Sequence, residues 1–182
     1  MTGVQTCALP ISGLELLSHP ELFLSGPLRE RLLARHLTPQ PRWKAGRILG
    51  KSGLVHAMAD VSDGLLADVR HLCGASGVKA RIRLADIPVG EGCLQVAAAS
   101  GIDAMGWALG GGEDYELVFL AAPRDAERLL RLVREEAGTD CTLIGEIVDG
   151  PPEVAVVMPD GEVRSGSFWR VLGWDHFGRR EG

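Results

Sequence analysis

The sequence has 182 residues, of which 46% are hydrophobic and 24% are charged, and its net charge at neutral pH is -5. This length and apolar content suit about one cored domain, the acidic balance argues against nucleic acid as a partner, and no apolar run approaches the roughly 20 residues that span a bilayer. The four cysteines show neither a metal-binding spacing nor a disulfide framework, which fits a reducing cytoplasm, and we expect Cys73 and Cys141 to be small core residues.

The first residues are set apart from the rest of the chain. Residues 1–12 (MTGVQTCALPIS) look like a translated sequencing adapter, and we interpret them as a non-native peptide. They lack the basic start and long apolar core of a secretory signal. Residues 13–42 carry leucines at helical spacing and are predicted to be a helical connector, in which Gly26 and Pro27 mark a break or a second helix start.

From residue 43 onwards, apolar runs of strand length alternate with stretches of helical periodicity. Strands are predicted at residues 54–61, 79–85, 115–121, 141–147 and 153–158, and helices at 63–76, 92–109 and 125–137. This order predicts an α/β fold with one mixed sheet covered by helices. Turn sequences at 149–152 and 159–161 favour an antiparallel part among the final strands.

Paired acids lie where the first of these strands meets its helix. Asp60, Ser62 and Asp63 follow the buried run, and free N–H groups at the helix start can face phosphate oxygens while the two carboxylates hold Mg²⁺. The ordinary alternative is that one of these residues caps the helix. A cap needs only one carboxylate, so two acids within four residues favour a ligand site.

A second acidic turn precedes the strand at 115–121. Three glycines at 110–112 let the backbone tighten or approach a ligand, and Glu113 and Asp114 follow them. The alternative is a glycine-rich helix stop that feeds a strand, with alternate residues of that strand facing opposite sides. A third segment, GRILGKS at 46–52, ends like a phosphate-binding loop but has one residue too few and precedes a strand, so we interpret it as a helix end.

Both acidic turns carry a family resemblance. The segments MADVSDGL at 58–65 and GGEDYEL at 111–117 look like the two C-terminal signatures of thiamine-monophosphate kinases, within the AIR synthase-like superfamily. The segments LTPQPR at 37–42, ADIP at 85–88 and GWDHF at 173–177 agree with that family in order and spacing. The resemblance implies that residues 43–182 form an AIR synthase-like C-terminal domain.

The resemblance also implies an activity and a set of site residues. It implies ATP-dependent phosphorylation of thiamine monophosphate, with Mg²⁺ held by Asp60 and Asp63 and ATP contacted by Ser62. Glu113 and Phe177 would contact thiamine monophosphate, and Trp174 stands where the family usually has tyrosine. Relatives are homodimers through a first domain that also supplies further metal-binding acids, and this sequence shows no counterpart of that domain. The connector at 13–42 would lead from it.

Three alternatives remain open from the sequence. The chain could be another AIR synthase-like enzyme that acts on a purine precursor, selenide or a carbamoyl group. It could be a non-catalytic fragment that binds one ligand weakly because half of a composite site is absent. It could also be a structural domain in which both acidic turns serve only as caps.

Overall fold

The predicted alternation of strands and helices is present in a computed structural model, which describes residues 8–167. The helices are α1 (Leu9–Ser18), α2 (Gly26–Leu37), α3 (Trp43–Ser52), α4 (Leu65–Ser76), α5 (Glu91–Ser100), α6 (Ala104–Gly110) and α7 (Ala126–Leu132), which a π turn at Val133–Ala137 extends. The strands are β1 (Val55–Val61), β2 (Lys79–Arg83), β3 (Glu116–Ala121), β4 (Gly145–Val148), β5 (Glu153–Val157) and β6 (Val163–Ser165). The predicted α/β class is confirmed.

The strands form two sheets in the described residues, so the prediction of one sheet is wrong. β1 pairs with β3 alone, in antiparallel orientation. The other four strands form a mixed sheet in the order β4-β2-β5-β6, in which only β2 and β5 are parallel. The predicted antiparallel part is confirmed for β5 and β6, which the turn at 159–161 joins, whereas β4 and β5 do not pair because β2 lies between them. Periodicity indicates which residues share a face of a strand, whereas partner choice depends on contacts between distant segments, which explains the error.

The β1–β3 pair lies between two hydrophobic clusters. On one face of β3, Val118 and Leu120 are buried in the larger cluster, together with residues of α4 and of the mixed sheet. On the other face, Phe119 packs with Leu49 of α3 and Leu129 of α7 in a smaller cluster. The predicted alternation of faces along β3 is thus confirmed, and burial on both sides fixes the position of the two strands.

One helix start differs from the sequence expectation, and another agrees with it. α4 begins at Leu65 rather than at residue 63, and Gly64 occupies its N-cap position. α2 begins at Gly26, with proline in the first turn, so the Gly26-Pro27 pair marks a second helix start. The phosphate-loop-like segment lies inside α3, which ends at Ser52 before Gly53 adopts a left-handed φ of 67°. Its interpretation as a helix end is confirmed.

α1 begins at Leu9, within the segment 1–12 that we interpret as a non-native peptide. It packs against α2 and α5, and its Leu16 is fully buried. The interpretation of residues 1–12 as adapter-derived stays a prediction, because the packing of a helix does not reveal the origin of its codons. Cys73 and Cys93 are buried free thiols, and Cys141 is half-buried. Among residues 8–167, no helix is both long and apolar enough to cross a membrane.

Replacing Phe119 tests whether the smaller cluster stabilises the fold. Phe119 is 1% exposed, so Phe119→Ala should lower the free energy of unfolding by about 3–5 kcal/mol through lost burial and a cavity. Urea denaturation measures this change. Phe23→Ala is the matched control, since Phe23 is 92% exposed and its loss should change stability by no more than about 0.5 kcal/mol. Equal losses in the two variants would contradict a structural role for the smaller cluster.

Candidate functional site

The two acidic turns lie side by side at one end of the β1–β3 pair. The last paired residues of the strands are Val61 and Glu116. Beyond them, the Tyr115 N–H donates to the Val61 carbonyl at 2.9 Å, and the Glu113 N–H donates to the Ser62 carbonyl at 2.8 Å. The backbone therefore holds the segment after β1 directly against the segment before β3.

Glycine makes this close approach possible. A Cβ atom on Gly112 would lie 2.6 Å from the Ser62 carbonyl oxygen, closer than real Cβ contacts. Gly64 has a φ of 119°, and a Cβ there would lie 2.9 Å from the Gly110 carbonyl oxygen. Both positions need glycine because the backbones of the two turns are in direct contact.

The carboxylates of Asp60 and Asp63 are available for a ligand. Asp60 is exposed, and Ser62 and Asp63 are half-buried. Across residues 8–167, neither carboxylate forms a hydrogen bond or an ion pair with another side chain or backbone group. Gly64 is the N-cap of α4 and no side chain caps that helix, so the alternative that Ser62 or Asp63 caps it is wrong.

Asp68 is a site residue that the sequence analysis missed. It is 6% exposed, and its Oδ2 accepts hydrogen bonds from the N–H groups of Ser62 at 3.0 Å and Asp63 at 3.1 Å. The expectation that free N–H groups here face phosphate is therefore wrong for these two residues. Burial raises the pKa of the Asp68 carboxyl, and the two hydrogen bonds act in the opposite direction. An acid on the apolar face of α4 beside Leu65 was the available signal, because a buried carboxylate needs partners.

The second turn contains unusual backbone conformations. Glu113 has a φ of 67° and Tyr115 a φ of 52°, in the left-handed region that residues other than glycine rarely adopt. Glu113 is exposed and Tyr115 half-buried. The negative charge of Glu113 is the main cause of a raised pKa of the Tyr115 hydroxyl, to which desolvation and the charge of Asp60 also contribute. Acids of both turns thus act on the same phenol.

Two other acids of this segment are directed inward. Asp114 is 7% exposed, and both of its carboxylate oxygens lie 3.1 Å from the Ala8 nitrogen, whose N–H they accept. Burial is the main cause that raises the pKa of Asp114 to about 7. Glu116 receives two hydrogen bonds from the Arg42 guanidinium, at 2.8 and 2.7 Å. Arg42 lies in the LTPQPR segment, so this ion pair joins that segment to the start of β3.

The predicted aromatic contact cannot be placed with the others. Phe177, like Trp169 and Trp174, lies outside the described residues 8–167. The structure therefore brings together Asp60, Ser62, Asp63 and Glu113 of the predicted site residues.

The donor atoms at the first turn fit Mg²⁺. Oxygens of carboxylates without protein partners are the hard ligands that this ion prefers, and the turn offers two such carboxylates, Asp60 and Asp63. Ligand atoms of Asp63, Asp68 and His71 also lie within 4.8 Å of one another. That trio is a poorer match, because imidazole suits transition metals and Asp68 already accepts two backbone hydrogen bonds.

Comparison with known proteins agrees with this architecture. The family described as AIR synthase related protein, C-terminal domain, matches residues 4–158. The chain belongs to this family. A thiamine-monophosphate kinase of Mycobacterium tuberculosis is 39% identical over 149 residues, which are 81% of this chain and 38% of that protein. One of Escherichia coli K12 is 36% identical over 146 residues, or 80% of this chain and 42% of that protein.

Solved structures show the same similarity. The structure described as "AaThiL complexed with AMPPCP and TMP" matches with a TM-score of 0.74 and 31% identity, over 97% of this chain and 50% of that one. Thiamine-monophosphate kinase from Stenotrophomonas maltophilia K279a matches with a TM-score of 0.75 and 33% identity, over 88% and 49%. The resemblance to these kinases is confirmed, and the chain spans half or less of their length.

The raised pKa of Tyr115 provides a test of the acidic cluster. Glu113→Gln should lower that pKa toward its ordinary value, because the Glu113 charge is the main cause of the shift. Tyr115 is the only tyrosine of the sequence, so the absorbance of tyrosinate during a pH titration reports on it alone. Glu127→Gln, at an exposed position on α7, is the control and should leave the titration unchanged. A Glu113→Gln curve that superimposes on the wild-type curve would contradict the arrangement.

Asp114 should make stability fall as pH rises. Its folded pKa of about 7 lies above the ordinary value, so the folded state holds this proton more tightly than the unfolded state. The contribution of Asp114 to the free energy of unfolding is fully present below the unfolded pKa. It is lost as pH rises from there through about 7, and the loss amounts to up to about 4 kcal/mol. Urea unfolding at pH near 5 and near 8 should show a smaller difference for Asp114→Asn than for wild type. Asp149→Asn, on an exposed turn, should keep the wild-type difference.

Proposed function

We propose that this chain is part of a thiamine-monophosphate kinase, which transfers a phosphoryl group from ATP to thiamine monophosphate. In this proposal Asp60 and Asp63 hold Mg²⁺ and Ser62 contacts ATP. Glu113 and Phe177 contact thiamine monophosphate.

The contact between the two signature turns carries this proposal. Residues that match the family signatures lie far apart in the sequence, yet the Glu113 N–H donates directly to the Ser62 carbonyl. Asp60 and Glu113 are exposed, and the Asp60 and Asp63 carboxylates have no partner among the described residues. Because no protein group occupies these carboxylates, they are free to bind a cation and a charged substrate.

The chemistry requires positioning and charge neutralisation more than covalent help. A terminal oxygen of thiamine monophosphate would attack the γ-phosphorus of ATP, and the bond to the β-phosphate oxygen would break to release ADP. The attacking phosphate is already ionised, so no general base is needed. Bound Mg²⁺ supplies neutralisation of phosphate charge. Asp60 and Asp63 would hold the Mg²⁺ ion. The Ser62 hydroxyl can donate a hydrogen bond to a phosphate oxygen, and the Glu113 carboxylate can pair with the cationic thiazolium.

The proposal extends to location and assembly. Consumption of ATP and the free thiols at Cys73 and Cys93 are compatible with the cytoplasm. Following the resemblance, we place the homodimer contact and the remaining metal-binding acids in a part of the kinase that this chain does not include.

A second function follows from the length of the matches. The chain covers 38% of the Mycobacterium tuberculosis relative and 50% of the complex with AMPPCP and TMP. If the rest of the kinase contributes to the site, this chain by itself binds Mg²⁺ and a ligand without turnover. Another AIR synthase-like activity has weaker support, since the Escherichia coli HypE structure shares 22% identity and shows the fold alone.

Binding and turnover can be measured on the same sample. Mg²⁺ would be titrated in the presence of ATP, and then thiamine monophosphate would be added, while amide resonances of the chain are followed. We expect Mg²⁺ to shift the resonances of residues 60–63 and thiamine monophosphate to shift that of Glu113. Formation of thiamine diphosphate, assayed in parallel, separates a kinase from a binding fragment.

Two variants assign the response to the site. Substitution of a residue that hydrogen-bonds to a metal ligand weakens metal binding by roughly 10- to 100-fold. Asp63→Asn changes a ligand itself and should weaken Mg²⁺ binding by more than that. Glu127→Gln, on the exposed face of α7, should leave the affinity at the wild-type value. A wild-type chain whose resonances do not respond to Mg²⁺ and ATP, or an Asp63→Asn chain with unchanged affinity, would overturn the metal assignment.

A further inference from the structure

We infer that Asp68 is a positioning residue that fixes the Ser62–Asp63 backbone so that the first acidic turn can hold a metal ion. This inference rests on the proposed function and adds a residue to which that function assigned no role. Asp68 lies in α4, one turn after the N-cap Gly64. Its Oδ2 accepts from two successive N–H groups that precede the helix, those of Ser62 and Asp63.

The Ser62 peptide is fixed from two directions. Its N–H donates to Asp68 at 3.0 Å, and its carbonyl accepts the Glu113 N–H at 2.8 Å. The Asp63 N–H is held by the same Asp68 oxygen at 3.1 Å. The segment that carries the proposed ATP and Mg²⁺ contacts is therefore tied to α4 on one side and to the second acidic turn on the other.

Burial makes these hydrogen bonds strong. Asp68 is 6% exposed and lies between Leu65 and Val69, which belong to the larger hydrophobic cluster. Hydrogen bonds to a charged group are stronger than those between neutral groups. A buried carboxylate is costly unless it is paired, and the two N–H donors of the turn provide the pairing for Asp68.

Asp68 acts through the backbone rather than as a metal ligand. One of its two oxygens, Oδ2, is occupied by two N–H donors. Its other oxygen, Oδ1, lies 3.8 Å from Nδ1 of the exposed His71. Asp60 and Asp63, in contrast, have carboxylates that no described residue engages. Ligand and positioning roles are therefore carried by different acids.

Two substitutions separate positioning from ligation. Asp68→Ala removes the acceptor, so Mg²⁺ affinity in the presence of ATP should fall by about 10- to 100-fold. Asp68→Asn keeps an oxygen that can accept both N–H groups but loses the negative charge. Its affinity should stay within a few-fold of wild type, and the amide proton resonances of Ser62 and Asp63 should stay near their wild-type positions. In Asp68→Ala, both resonances should move to the positions of weaker hydrogen bonds.

Asp103→Ala is the matched control for a general loss of stability. Asp103 caps α6, and its carboxylate also accepts two backbone N–H groups, that of Met105 through Oδ1 at 3.0 Å and that of Gly106 through Oδ2 at 3.1 Å. Loss of that cap should lower the midpoint of urea denaturation and leave Mg²⁺ affinity unchanged.

The outcomes distinguish this inference from the proposed function. A wild-type chain without Mg²⁺ binding removes the proposed function and the role of Asp68 with it. A binding-competent wild type with equal affinity in Asp68→Ala overturns the inference alone. If Asp68→Ala does not fold, Asp68→Asn decides. Retained affinity together with unmoved amide proton resonances of Ser62 and Asp63 supports positioning, and a 10- to 100-fold loss of affinity with those resonances unmoved overturns it, because the charge of Asp68 would then be required.

Discussion

The pairing of β1 with β3, continued into the turns beyond both strands, is the interaction on which the site depends. The Tyr115 and Glu113 N–H groups donate to the Val61 and Ser62 carbonyls, so the ladder extends past the last strand residues. Burial of both faces of the pair, in two separate hydrophobic clusters, keeps the strands in register. A site built from two segments far apart in the sequence needs such a frame, because the paired strands determine where the two turns lie relative to each other.

The acids around this frame fall into two groups according to burial. Asp68, Asp114 and Glu116 are buried, and each accepts hydrogen bonds: Asp68 from the nearby backbone of the first turn, Asp114 from the distant Ala8 and Glu116 from Arg42. Asp60 and Glu113 are exposed and Asp63 is half-buried. The cost of desolvation explains the difference between the two groups. A carboxylate can be buried only with hydrogen-bond or ion-pair partners, whereas a carboxylate that faces solvent is free to bind a cation or a cationic ligand.

The second turn shows how such an arrangement is maintained. Glu113 and Tyr115 both adopt left-handed conformations that disfavour side chains other than glycine. Conformations of this kind persist where surrounding contacts determine the backbone, and they occur often at functional sites. Here the determining contacts are the approach of Gly112 to the Ser62 carbonyl and the inward anchoring of Asp114 and Glu116. Because Gly112 contacts the first turn and Asp114 and Glu116 are anchored inward, the Glu113 side chain faces solvent.

The sequence by itself determined the α/β class, the alternating faces of β3 and the family, because apolar periodicity and the two acidic signatures are local properties of the chain. It also identified Asp60, Ser62, Asp63 and Glu113 as candidates. Only the tertiary structure decided that β1 pairs with β3 apart from the mixed sheet, that Gly64 and not Ser62 or Asp63 is the N-cap of α4, and that Asp68 occupies the N–H groups of the first turn. Strand partners and hydrogen bonds to buried acids depend on which distant segments pack together, and residue spacing along the chain does not encode that packing in a form that local patterns reveal.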